Sequence, residues 1–78
     1  MDVSNQTQAQ QAENLHQLRM IWRLPTVRAR TGLGRTKIYD LMKEGRFPKS
    51  RRIAGAHAVG WDSLEVVAWI AEQLGEVV

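Results

Sequence analysis

Thr31-Gly32-Leu33-Gly34-Arg35-Thr36-Lys37-Ile38-Tyr39 is the stretch that decides the fold. Gly32 stands where a helix ends, since glycine takes the left-handed conformation of a C′ residue without a Cβ penalty. Gly34 stands as the N-cap of a second helix, tolerated there although it lacks the side-chain acceptor of Ser or Asp. Two helices therefore meet across a three-residue turn. Upstream, Pro25 suits the first helical position, because its φ is preset and its missing N–H is not needed there. Thr26 to Thr31 complete this short first helix, with Val27 and the aliphatic stem of Arg30 facing inward. The second helix spans about residues 34–44 and stops at Gly45. At about 100° per residue, Gly34, Ile38, Leu41, Met42 and Gly45 form one stripe, the buried side. Thr36, Tyr39, Asp40 and Lys43 fall opposite, flanked by Lys37 and Glu44.

Working outward, Phe47-Pro48 breaks the helical period. Lys49 to Ile53 and Ala58 to Trp61 read as two short strands around an Ala54-Gly55-Ala56-His57 turn, a hairpin with thin apolar alternation. Asp62-Ser63-Leu64-Glu65 then resembles a capping box, with Asp62 as N-cap and Glu65 at N3. The third helix runs to about Leu74 and ends at Gly75. Val66, Trp69, Ile70 and Gln73 share its inward face, with Leu64, Val67 and Ala71 on the outer side. Trp22, Trp61 and Trp69 read as core, because so small a fold needs their area. At the other end, Met20-Ile21-Trp22 fits either a frayed helical turn or a short strand. Residues 1–14 carry no large apolar side chain after Val3, so residues 1–18 are expected to form a flexible tail outside a domain at 19–78. The expected fold class is mainly α with a small β-hairpin: a winged helix-turn-helix of three short helices.

The 78 residues carry a formal net charge of +3, and that total conceals a steep division. Residues 1–18 hold two acids and no base. Residues 19–52 hold all eleven Lys and Arg against Asp40 and Glu44, a block of +9. Residues 53–78 hold four acids and no base. So dense a basic block points to a polyanion or an acidic surface, the alternative being a solvated face. The acidic block is mostly the third helix, which should then face away from such a ligand.

In a helix-turn-helix unit the second helix presents its N-terminal residues to base edges in the major groove of DNA. Here that end carries Arg35, Thr36 and Lys37. Basic side chains there oppose the helix macrodipole, at a cost of roughly a few tenths of a kcal/mol, which a functional demand explains. Arg35 is the foremost candidate for base readout, its planar fork matching guanine O6 and N7; a phosphate contact is the alternative. Thr36 and Lys37 divide between base and phosphate. Tyr39 either donates its hydroxyl to a phosphate or packs its ring on the scaffold. Lys43 and Arg46 are candidate phosphate contacts. Lys49, Arg51, Arg52 and His57 belong to the wing, at about residues 49–61. Strand alternation puts Arg51 and Arg52 on opposite faces, so one should be less engaged.

The same residues resemble the AlpA family. The resemblance is carried by Thr31 to Tyr39, by Lys43-Glu44-Gly45-Arg46-Phe47-Pro48-Lys49, and by Val59-Gly60-Trp61 with Val66 and Trp69-Ile70. It covers roughly residues 22–72. It implies a small phage or prophage regulator, similar in fold to excisionases and to MerR-type winged helix-turn-helix domains. It also implies action on genes of a mobile element, often an integrase gene, or assistance to excision. Two departures stand out. Gly34 occupies a position usually held by Ser, which leaves a weaker cap. Asp40 lies on the outward face, where it repels phosphate unless it pairs with Arg35 or Lys43 or accepts from a cytosine amino group.

Several classes are excluded or disfavoured. The absence of cysteine removes disulfides, thiolate zinc sites and Cys nucleophiles. His16 and His57 have no partner ligand at a recognised spacing, so neither a metal nor a cofactor is expected. No apolar run approaches the roughly 20 residues of a membrane helix, and no secretory signal is visible; a cytoplasmic, nucleoid-associated protein is expected. No carboxylate pair or Ser-His-Asp set suggests an enzyme, and Tyr39 lacks the companions of a tyrosine recombinase site. The expected partner is double-stranded DNA, with self-association or an integrase contact on DNA as additions. Alternatives to a regulator are an excisionase-like recombination directionality factor and a protein-interaction adaptor using the third helix.

Overall fold

The computed structural model describes residues 18–55 and 57–75. The expected tail thus lies, except for Leu18, outside the described residues. The described chain runs β1 (Ile21–Trp22), α1 (Leu24–Thr31), α2 (Arg35–Lys43), β2 (Arg51–Arg52), β3 (Val59–Asp62) and α3 (Ser63–Gln73). Three helices and a small antiparallel sheet make it mainly helical with a hairpin, a winged-helix-like arrangement.

The inter-helix turn forms as its glycines dictate. Gly32 takes φ 76° and donates its N–H to the Arg28 carbonyl; Gly34 caps α2 from the extended region with no side-chain bond. Thr31 fastens the turn, its hydroxyl donating to Val27 O (2.7 Å) and accepting from Leu33 N–H (3.2 Å). The first helix starts one residue earlier than Pro25 suggests. Arg23 is the N-cap, and Pro25 occupies the first turn where no intrahelical donor is lost. At the far end of α2, Gly45 N–H donates to Met42 O and Arg46 N–H to Leu41 O, a Schellman closure around a glycine at φ 70°.

In the ambiguous Met20-Ile21-Trp22 segment, Ile21–Trp22 form a strand. It pairs with β3, far away in sequence, in the register Ile21↔Asp62 and Trp22↔Trp61. Met20 N–H donates to Ser63 Oγ (2.8 Å) and Ser63 N–H to Met20 O (2.9 Å), which carries the ladder onto the start of α3. On the other edge Arg51 pairs with Gly60 and Arg52 with Val59, so β3 is central. The wing is shorter than its sequence span: β2 holds Arg51 and Arg52 alone, and Lys49 precedes it. One further bond, Ile53 N–H to Ala58 O, closes the turn.

Val27, Ile38, Leu41, Phe47, Trp61 and Val66 form the buried core, with Trp22, Tyr39, Met42, Trp69 and Ile70 packed around it. Trp61 is almost fully buried, as its role requires, whereas Trp22 and Trp69 are half-buried at the margin. Two expectations for α3 are corrected. Ala71 is buried and not on the outer side, and Gln73 is exposed and not on the inner face. Helical period gives each residue a direction, but which arc is covered depends on what packs there.

Opposite the core, Ile21, Gly60, Arg51 and Asp62 share the outer face of the sheet. A Cβ built on Gly60 would stand 2.6 Å from Ile21 Cγ2 and 2.7 Å from Ile53 Cδ1. Two isoleucines close over this position, and only glycine admits both.

Candidate nucleic-acid interface

Ile38 and Leu41 anchor α2 in the core and fix which side faces out. Arg35, Thr36 and Lys37 are exposed along its first turns, as are Asp40 and Lys43. Tyr39 is the exception on this face. Its ring is half-buried, edge-on to Trp61 with centroids 6.3 Å apart. The Arg35 guanidinium lies over the same ring, 5.6 Å from its centroid. Arg35, Thr36, Tyr39 and Asp40 thus line one shallow hollow. Tyr39 is half-buried there and Asp40 exposed. Asp40 makes no ion pair among the described residues, so it does not pair with Arg35 or Lys43 as one reading of the sequence allowed.

A second hollow gathers Arg46, Lys49 and Arg51 beside Trp69, Glu65 and Glu72. It lies between α3 and the segment joining α2 to β2. Phe47, in the middle of that segment, is buried and meets Trp69 edge-on, centroids 4.9 Å apart. His57 is exposed past the hairpin turn, which needs positive φ at Ala54 and Gly55.

The two wing arginines differ, as alternation requires. Arg52 is exposed and has no acidic partner among the described residues. Arg51 donates to Glu65 Oε2 at 2.9 Å and stands 3.9 Å from Asp62. Asp62 is the hub of this network. Its Oδ1 accepts from the Leu64 N–H (3.0 Å), the N-cap bond of α3. Its Oδ2 accepts from Arg19 Nε (2.9 Å) and from a second nitrogen of the same guanidinium. Burial pushes the Asp62 carboxyl up, but the bonds from Arg19 and Leu64 and the charges of Arg19 and Arg51 outweigh it and hold it below the usual carboxylate range. The bond to Asp62 pushes the Arg19 guanidinium up in turn. The capping box is thus half-made: Asp62 caps α3, while Glu65 reaches sideways to Arg51.

Arg19 and Arg51 are tied to acids. Among the described residues, Arg35, Lys37, Lys43, Arg46, Lys49 and Arg52 are paired with none. The sequence reading missed Arg28, which lines a hollow with Gly32, Leu33 and Gly34 at the start of α2. It also missed the Arg19–Asp62 pair. For Arg28 a signal existed, since the basic block includes the last turn of α1; for Arg19 none did, because its partner is 43 residues away. No group of three or more acidic, His or Cys side chains suited to a metal occurs among the described residues. No helix among them is long and apolar enough to cross a membrane.

Residues 20–74 match the family described as "Prophage CP4-57 regulatory protein (AlpA)". The chain is 36% identical over 59 residues to the "DNA-binding transcriptional activator AlpA" of Escherichia coli strain K12, a match covering 68% of this chain and 83% of that protein. It is 38% identical over 52 residues to the "Uncharacterized protein ORF88" of Enterobacteria phage P4, covering 67% of this chain and 58% of the phage protein. No solved structure matches significantly. With the match spanning both helices of the turn, the hairpin and α3, the chain belongs to the AlpA family of prophage regulatory proteins.

Proposed function

We propose that this chain binds double-stranded DNA as a small sequence-specific transcriptional regulator of a phage or other mobile element. In this reading α2 enters the major groove and the β2–β3 wing rides on the backbone. Residues 19–78 are the binding unit and 1–18 lie outside it. The observation that carries the reading is the division among the cations. Those of α2, of the segment after it and of the wing edge are exposed and, among the described residues, unpaired, while the acids Asp62 and Glu65 are engaged by Arg19 and Arg51. The printed name of the Escherichia coli relative supports it.

Arg35 reads a base edge and Thr36 and Lys37 assist at base or phosphate, since these residues lead the recognition helix. Lys43, Arg46, Lys49 and Arg52 neutralise phosphates, with His57 reaching the backbone from the hairpin turn. Arg51 contributes less than Arg52 while Glu65 holds it. Tyr39 supports Arg35 through its ring, and its hydroxyl is left for a phosphate. Arg28 joins them from the end of α1.

A mobility shift on DNA upstream of neighbouring genes, repeated across salt concentrations, tests the reading. Phosphate neutralisation releases counterions, so binding must weaken steeply as salt rises. Failure to bind any such fragment in a salt-sensitive way contradicts the proposal.

A further inference from the structure

The segment between α2 and β2 carries Arg46 and Lys49 and has no regular secondary structure after Gly45. Such connections are ordinarily the mobile parts of a fold. This one is fixed at successive backbone groups. Arg46 N–H donates to Leu41 O (2.8 Å) as α2 ends. The Arg46 carbonyl accepts from Trp69 Nε1 (2.8 Å), and the Pro48 carbonyl accepts from Trp61 Nε1 (3.1 Å). Between them the Phe47 side chain is buried, with the Trp69 ring against it. The backbone from 46 to 48 is therefore held by two indole donors from β3 and α3, while Arg46 and Lys49 remain exposed.

We infer that Trp69 is a positioning residue for DNA binding: its indole N–H, acting with that of Trp61, presets Arg46 and Lys49 for phosphate contact. The inference rests on the DNA-binding reading above. Its physical basis is preorganisation. A segment that is already ordered loses less freedom on binding, so more of each charge-assisted contact is realised as affinity. Trp61 serves the core first, being almost fully buried, so Trp69 is the better position at which to separate the donor from the fold. Trp69 is half-buried, and in its absence water can reach the Arg46 carbonyl. Its hydrogen bond is thus small as a source of stability and large as a constraint on geometry.

The chain is short enough for chemical synthesis, which permits 3-benzothienylalanine at position 69. This near-isostere puts sulfur in place of the N–H, which removes the donor while retaining a bicyclic aromatic ring of similar shape against Phe47. Trp69→Phe is the second variant. Binding to a mixed-sequence DNA duplex is measured by fluorescence anisotropy across salt for the natural chain, each position-69 variant, Arg46→Ala and the combinations. The expected result is a three- to tenfold loss of affinity for the position-69 variants at about 0.1 M salt, with a salt slope shallower by about one phosphate. Arg46→Ala should then cost less in those backgrounds than in the natural chain, because the two residues act as one unit. Effects that are additive, or variants with natural affinity and slope, overturn the inference while leaving the DNA-binding reading intact. A natural chain without salt-sensitive binding contradicts that reading itself.

Discussion

Arg51 of the wing and Glu65 of α3 are joined by a 2.9 Å hydrogen-bonded ion pair, so one cation of the basic block is engaged within the protein. Both side chains are partly exposed, at 58% and 42%, and such a pair adds at most about 1 kcal/mol to stability. Glu65→Gln should therefore leave the melting temperature within a few degrees of the natural value. By releasing Arg51 towards phosphate, it should also tighten DNA binding severalfold at low salt. Thermal melts and anisotropy titrations on the same samples check both halves.

Asp62 predicts a pH dependence. Its carboxyl is held below the usual range in the folded protein, so its stabilising effect is complete above the ordinary unfolded value of about 3.9. It disappears as pH falls through the depressed folded value. Denaturant midpoints should thus decline steadily below about pH 4, and Asp62→Asn should flatten that decline. Asparagine is also a good N-cap, so the substitution keeps the bond from Leu64 N–H and isolates the ion pairs with Arg19 and Arg51.

Gly60 predicts a steric effect. Gly60→Ala sets a methyl group against Ile21 and Ile53, which must give way, at a cost of about 1–3 kcal/mol. Ile21 is 65% exposed and has room to turn outward, which favours the lower end. Adding Ile21→Ala should recover part of the loss, measurable by urea denaturation of the single and double variants.

The α2 scaffold predicts a threshold. Ile38 is fully buried beneath the exposed face of α2, and truncation to alanine costs about 2–5 kcal/mol. A single core in so small a domain supplies only roughly 3–5 kcal/mol of stability. Ile38→Ala should accordingly be largely unfolded at 37 °C by circular dichroism.

What the sequence made legible was local. Gly32, Gly34 and Gly45 mark helix ends because glycine has few other reasons to recur there, and the phase of Ile38 and Leu41 followed from them. The outward direction of the α2 cations was legible for the same reason, since face follows from phase, whereas their lack of acidic partners among the described residues was not. β1 was ambiguous because a two-residue strand has no period to read and its partner lies at Asp62 and Trp61. The Arg19–Asp62 pair and the Trp69–Arg46 bond were invisible on the same ground: spacing encodes neighbours along the chain, not those across the fold. Tyr39 was left open between phosphate and scaffold, and only the position of Trp61 shows where its ring rests.

In the proposed function Lys49 and Arg52, exposed and unpaired among the described residues, meet phosphate. This is tested most directly by the salt dependence of DNA binding for the natural chain and for Lys49→Ala/Arg51→Ala/Arg52→Ala. Because Arg51 is tied to Glu65, the account predicts that this triple change lowers the slope of log K against log salt by about two phosphates and not three. A slope identical to that of the natural chain would contradict it, because the wing would then make no contact with the duplex.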